Sequence, residues 1–104
     1  MGIAASTRRV GVAAMTEQAF QAAVVELARL LGWRCFYVGD SRRSPHGWPD
    51  LTLVRDRLIF RELKSEKGRL TGEQEEWGRL LAGAGMDWAV WRPGDWPEIE
   101  RSLR

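Results

Sequence analysis

Residues 47–64 read G-W-P-D-L-T-L-V-R-D-R-L-I-F-R-E-L-K. Two short apolar runs, Leu51–Val54 and Leu58–Leu63, are separated only by Arg55, Asp56 and Arg57. Both are apolar on both faces, as central strands of a covered sheet are, and so close a pair fits a hairpin. Charges interrupt the pattern at its ends. Asp50 stands at the mouth of the first run, and Glu62 and Lys64 close the second. A buried carboxylate must be paired, hydrogen-bonded or bound to metal. Two acids and a lysine gathered there suggest a site that holds a divalent cation beside a phosphate.

Register decides whether those charges meet. With a three-residue loop at 55–57, Val54 opposes Leu58, Thr52 opposes Phe60 and Asp50 opposes Glu62. Directly opposed residues share a face, and Lys64, two beyond Glu62, shares it too. A two-residue loop would set Asp50 against Leu63 and send the acids to opposite faces. The loop has no glycine, which such loops favour, so turn composition does not itself select the register.

Outward from the hairpin, Thr16 can cap a helix running to about Leu31, with Phe20, Val24, Leu27 and Leu31 as its apolar stripe and Gly32 as its end. Glu17 falls about 50° from the centre of that stripe, on the rim of the buried face. Residues 33–38 read as a strand, and 39–48 as a polar loop carrying Arg42, Arg43, Pro45 and His46. After a polar loop at 65–70 with Lys67, Gly68 and Arg69, Thr71 starts a second helix. Its stripe is Trp77, Leu80, Leu81 and Ala84, and Gly85 can end it. A fourth strand spans 86–91, a turn 93–95, and Asp95-Trp96-Pro97-Glu98 offers a cap for a short last helix, 97–103. Residues 1–14 read as a tail or extra strand, and 15–104 as one domain. The expected fold is α/β, an αβββαβ core with a central sheet flanked by helices.

Composition bounds this reading. A chain of 104 residues, 44% hydrophobic, suits one domain with one core. No apolar run approaches the ~18–20 residues of a membrane span, and the N-terminus lacks a secretory pattern. An intracellular protein, not secreted, in a bacterial or phage-host cytoplasm, is the expectation. The single cysteine, Cys35, lies in an apolar run and reads as a buried, inert thiol in a reducing compartment. Net charge is only +2 with a pI near 9.2, so charge alone does not name a nucleic-acid partner. The six tryptophans read mainly as core, with some available for a dimer contact.

Hydrolysis of a phosphodiester needs a hard cation to neutralise the phosphate and lower the pKa of an attacking water. Mg²⁺ keeps several waters, so one or two carboxylates suffice to hold it. Asp50 and Glu62 can supply these, with the Leu63 carbonyl as a third ligand. Lys64 can orient the water and stabilise developing charge. Glu17 can enter as an outer-sphere or second-metal ligand.

This pattern resembles the PD-(D/E)xK nuclease superfamily, and within it the VRR-NUC family. The matching features are Glu17, G-W-P-D-L at 47–51, R-E-L-K-S at 61–65, a basic glycine-containing loop, and L-T-x-x-Q-x-x-W at 70–77. The resemblance covers roughly residues 16–92. It implies a restriction-endonuclease-like mixed sheet and an Mg²⁺- or Mn²⁺-dependent nuclease. Asp50, Glu62 and Lys64 would be catalytic, supported by Glu17 and Gln74. Stand-alone members are similar to Holliday-junction resolvases and act as homodimers, which implies an endonuclease for branched DNA.

Plainer readings stand beside these. Asp50 fits an ordinary turn, and Glu62 and Lys64 an exposed edge pair. Glu17 suits a helix dipole, and Thr71-x-x-Gln74 is a capping box. His46, Arg42, Arg43, Lys67 and Arg69 are read as phosphate contacts or solvated charges, and Trp48 as structural. A nick, flap or duplex nuclease, or a DNA-binding module on a nuclease scaffold without turnover, remain the alternatives.

Overall fold

The computed structural model describes residues 15–37 and 45–104. Helix α1 spans Glu17–Leu30, strands β1 Arg34–Tyr37, β2 Leu51–Val54 and β3 Leu58–Leu63, helix α2 Gly72–Gly83, strand β4 Asp87–Trp91, and helix α3 Trp96–Leu103. A single 3₁₀ turn, Pro93–Asp95, precedes α3. The sheet order is β1-β2-β3-β4, with β1–β2 and β2–β3 antiparallel and β3–β4 parallel. This mixed sheet flanked by helices is compatible with the expected restriction-endonuclease-like architecture. None of the described helices is long and apolar enough to cross a membrane. The segment 1–14, read above as a tail or strand, and Val38 at the end of the first predicted strand lie outside the described residues.

The β2–β3 register places Val54 against Leu58 and Thr52 against Phe60, so the three-residue loop is the one formed. No glycine is needed because tertiary contacts hold the loop. The Arg55 guanidinium donates to the carbonyls of Leu31, Leu103 and Arg104 and lies 4.6 Å from the Trp33 ring centroid. A cation thus sits where two helix C-termini converge, which their dipoles favour. Arg57 bonds the Ser102 carbonyl from the same loop.

Thr16 caps α1 by accepting from the Ala19 N–H at 3.1 Å. The buried row is Phe20, Val24 and Ala28, with Val25 beside it; Leu27 and Leu31 are only partly buried. The stripe is therefore rotated slightly from the predicted one. At the end of α1, Gly32 has φ +89° while Gly32 N–H bonds Arg29 O and Trp33 N–H bonds Ala28 O, a Schellman closure. The same pair of bonds closes α2 at Gly85 and Met86. Helices α1 and α3 cover one sheet face, joining Phe20, Val24, Leu51, Leu53, Ile59, Leu63, Trp91, Ile99 and Leu103 in one core. Cys35 is half-buried against it, and burial pushes its thiol pKa up.

Two expectations need correction. Helix α2 does not bury Leu80, which is 57% exposed, or Ala84. It turns Gln74, Trp77, Gly78 and Leu81 inward, because the Trp88 indole occupies the space a side chain at Gly78 would need. Asp95 is not a side-chain cap for α3. Its carboxylate instead accepts from the Arg92 N–H at 2.9 Å, closing the 3₁₀ turn. The sheet is also less evenly covered than its sequence suggests. Phe36, Val54 and Leu58 are exposed because, among the described helices, α2 packs over the β4 side of its face.

Candidate active site

Asp50 immediately precedes β2, and Leu51 pairs with Arg61. That register carries the Asp50 carboxylate to the end of β3, where its Oδ2 accepts from the Leu63 N–H at 2.9 Å. The preceding loop is seated tightly on α2. Gly47 has φ +89°, and a Cβ there would lie 2.5 Å from the Glu73 carbonyl carbon and oxygen. Trp48 packs edge-on against Phe60 and Trp77, and the Trp77 indole N–H donates to the His46 carbonyl at 3.0 Å. Trp48 is thus structural, as read. These contacts join the Asp50 loop to the first turns of α2.

Glu62 is the most unusual group in the fold. It is 1% exposed, yet as an ionised carboxylate its Oε2 receives no hydrogen bond from any described residue. Oε1 accepts from the Gln74 side-chain amide at 3.1 Å. Gln74 also completes the capping box of α2: its Oε1 accepts from the Thr71 N–H, and its own backbone N–H donates to Thr71 Oγ1. Cap and site are therefore one arrangement. The cap fixes the amide, and the amide's free N–H reaches the carboxylate.

Burial, then hydrogen bonding to Asp50 and the charge of Asp50, push the Glu62 carboxyl from 4.5 to about 9. Glu17 pushes in the same direction, and Lys64 opposes it. Two ionised carboxylates are both acceptors and repel; a proton on Glu62 makes it a donor to Asp50. A divalent cation resolves the same conflict without the proton, so the pair fits a hard cation by its donor chemistry. Among the described residues no cluster of three or more His, Cys, Asp or Glu side chains forms a fuller cage.

Lys64 is 9% exposed, and its ammonium lies 3.5 Å from Glu17 Oε1, on the first turn of α1. Glu17, half-exposed, thereby reaches the group through Lys64. Asp50, Glu62, Lys64, Glu17 and Gln74 come together from two strand ends and two helix starts. His46 contributes its carbonyl to Trp77, while Lys67 and Arg69 stand exposed on the loop after Lys64. Arg42 and Arg43 lie outside the described residues. Sequence reasoning missed Arg92, whose guanidinium Nη1 gathers the carbonyls of Ser65, Glu66 and Gly68. No local pattern marks it, since its partners lie more than twenty residues away in the chain.

No match to the chain was found among curated proteins or among solved structures. The model of the VRR-NUC domain matches residues 5–93, which include the acid pair Asp50 and Glu62, Lys64 and the two helices that support them, and the chain therefore belongs to the VRR-NUC family of nucleases.

Proposed function

We propose that this nuclease is a metal-dependent endonuclease that hydrolyses DNA phosphodiester bonds. The observation that carries this reading is Glu62: a buried carboxylate with one oxygen that no described group donates to, set against a second carboxylate and beside a lysine. Such a site is costly to keep unless a cation and an anionic substrate satisfy it.

Asp50 and Glu62 would hold Mg²⁺ or Mn²⁺, with the Leu63 carbonyl as a further ligand and Glu17 acting through water. The ion, when bound, supplies charge neutralisation and an acidified water. Gln74 holds the Glu62 carboxylate in place, and the Leu63 N–H holds that of Asp50. Lys64, restrained by Glu17, supplies positive charge for the phosphate oxygens as negative charge develops. Lys67 and Arg69, with Arg42, Arg43 and His46, would contact the DNA backbone outside the reacting group.

Branched DNA such as a four-way junction is the preferred substrate in this reading, cut by a homodimer that presents two sites to two strands. Its support is the likeness to stand-alone VRR-NUC members. The test is cleavage of four-way junction, flap, nicked and linear duplex DNA with Mg²⁺, Mn²⁺ or EDTA. Junction cutting that exceeds duplex cutting at least tenfold supports the preference. Equal rates on all four substrates remove it.

A further inference from the structure

Arg92 follows β4 directly, and its guanidinium is turned back toward the end of β3. Nη1 donates to Ser65 O at 2.8 Å, Glu66 O at 3.3 Å and Gly68 O at 2.6 Å. Three carbonyls of one short loop therefore converge on one cationic nitrogen. The loop is fastened from the other side as well. Glu66 Oε1 accepts from the Gly94 N–H at 2.8 Å, and a Cβ at Gly94 would lie 2.7 Å from Glu66 Oε2. Arg92 is itself fixed through its N–H to Asp95, and Lys64 N–H bonds Trp91 O at 3.1 Å. A Cβ at Gly68 would meet Ser65 Oγ at 2.9 Å and Lys64 Cδ at 3.6 Å, so the loop folds against the lysine.

Two exposed cations, Lys67 and Arg69, project from this braced segment. A free loop would lose conformational entropy when it grips a phosphate; a braced one has already lost it. Charge on Nη1 is engaged by carbonyls, so Arg92 acts through the loop.

We infer that Arg92 is a positioning residue: it preorganises residues 65–69 so that Lys67 and Arg69 grip the DNA backbone in register with Lys64. This inference rests on the nuclease reading and extends it to substrate affinity.

The test uses Arg92→Met, Arg92→Lys, Glu66→Ala, the pair Lys67→Ala/Arg69→Ala, and the triple variant joining that pair to Arg92→Met. Binding to duplex and junction DNA is measured in EDTA across salt concentrations, and KM and kcat are measured with Mg²⁺. Each lost phosphate contact removes about 0.9 from the slope of log K against log salt. Arg92→Met should lower the slope by roughly 2, raise KM about tenfold and change kcat less than about threefold. Arg92→Lys should recover part of the loss, and Glu66→Ala should reproduce it in weaker form from the opposite fastening. The triple variant should bind no worse than the double, because the brace has nothing left to position. Wild-type slope and KM in Arg92→Met and Glu66→Ala, or additive losses in the triple variant, overturn the inference. If Arg92→Met does not fold, Glu66→Ala decides by the same readouts. Unaltered protein that cuts DNA while these variants match it refutes only this inference. If the unaltered protein neither binds DNA in a salt-dependent way nor cuts it with Mg²⁺, both readings fall.

Discussion

Glu62→Gln in the absence of divalent ions isolates the conflict at the heart of the site. In the folded protein the Glu62 carboxyl is held near pKa 9, against an ordinary value of 4.5. The folded state therefore binds the proton more tightly than the unfolded chain. The stability contributed by this group is fully present below about pH 4.5 and is lost as pH rises toward 9. Across pH 6 to 8, about 1.4 kcal/mol per unit bounds the loss at roughly 3 kcal/mol. Relaxation and water entry reduce it, so about 1–3 kcal/mol is expected. Glutamine keeps the shape, can accept from Gln74 through its carbonyl, and can donate to Asp50 through its amide, yet it cannot ionise. Urea denaturation of both proteins in EDTA at pH 6, 7 and 8 supplies the measurement, and other titrations cancel in the difference. The wild type should lose about 1–3 kcal/mol relative to Glu62→Gln as pH rises. Excess Mg²⁺ or Mn²⁺ should restore much of the loss in the wild type only. Parallel curves in EDTA would refute the claim that burial and Asp50 hold this carboxyl neutral.

Other perturbations separate the roles of neighbouring residues. Gln74→Ala removes both a cap partner and the donor to Glu62, and should cost about 1–3 kcal/mol and weaken metal binding about 10–100-fold. Thr71→Ala, which removes only the hydroxyl of the cap, should cost about 1 kcal/mol with metal affinity kept within about threefold. Equal metal affinity in the two variants, by calorimetry, would mean that Gln74 serves the helix alone. Gly47→Ala should shift the α2 N-terminus, lowering the urea midpoint and metal affinity together; an unchanged midpoint would count against the close contact with Glu73. Lys64→Ala should cut at least about 10²-fold more slowly while binding metal normally, read by single-turnover cleavage beside calorimetry.

The hairpin was legible because strands have a period of two. Once the loop holds three residues, Asp50 and Glu62 must share a face, and the observed pairs Val54–Leu58 and Thr52–Phe60 follow that count. Glu17 was legible as a first-turn rim residue for the same kind of reason, with a period of 3.6. Helix α2 was misread because hydropathy weighs Leu80 heavily and Gly78 hardly at all. The tertiary fact is the reverse: the missing side chain at Gly78 is what admits Trp88. Asp95 illustrates a local competition. Its carboxylate has one turn to close and closes the tighter one, at Arg92, leaving α3 without a side-chain cap. Arg55 and Arg92 were illegible because each collects carbonyls from segments distant in sequence, and nothing in charge patterning ranks one arginine above another.

The central claim is that the acid pair, buried Glu62 beside half-buried Asp50, makes this chain a metal-dependent DNA nuclease. Single-turnover cleavage of a four-way junction by the wild type and by Glu62→Gln tests it most directly, with binding of the same DNA measured in parallel. The account predicts cutting by the wild type with Mg²⁺ or Mn²⁺, none in EDTA, and a loss of at least about 10²-fold in Glu62→Gln despite retained DNA binding. Cutting by Glu62→Gln at the wild-type rate, or by the wild type in EDTA, would contradict it.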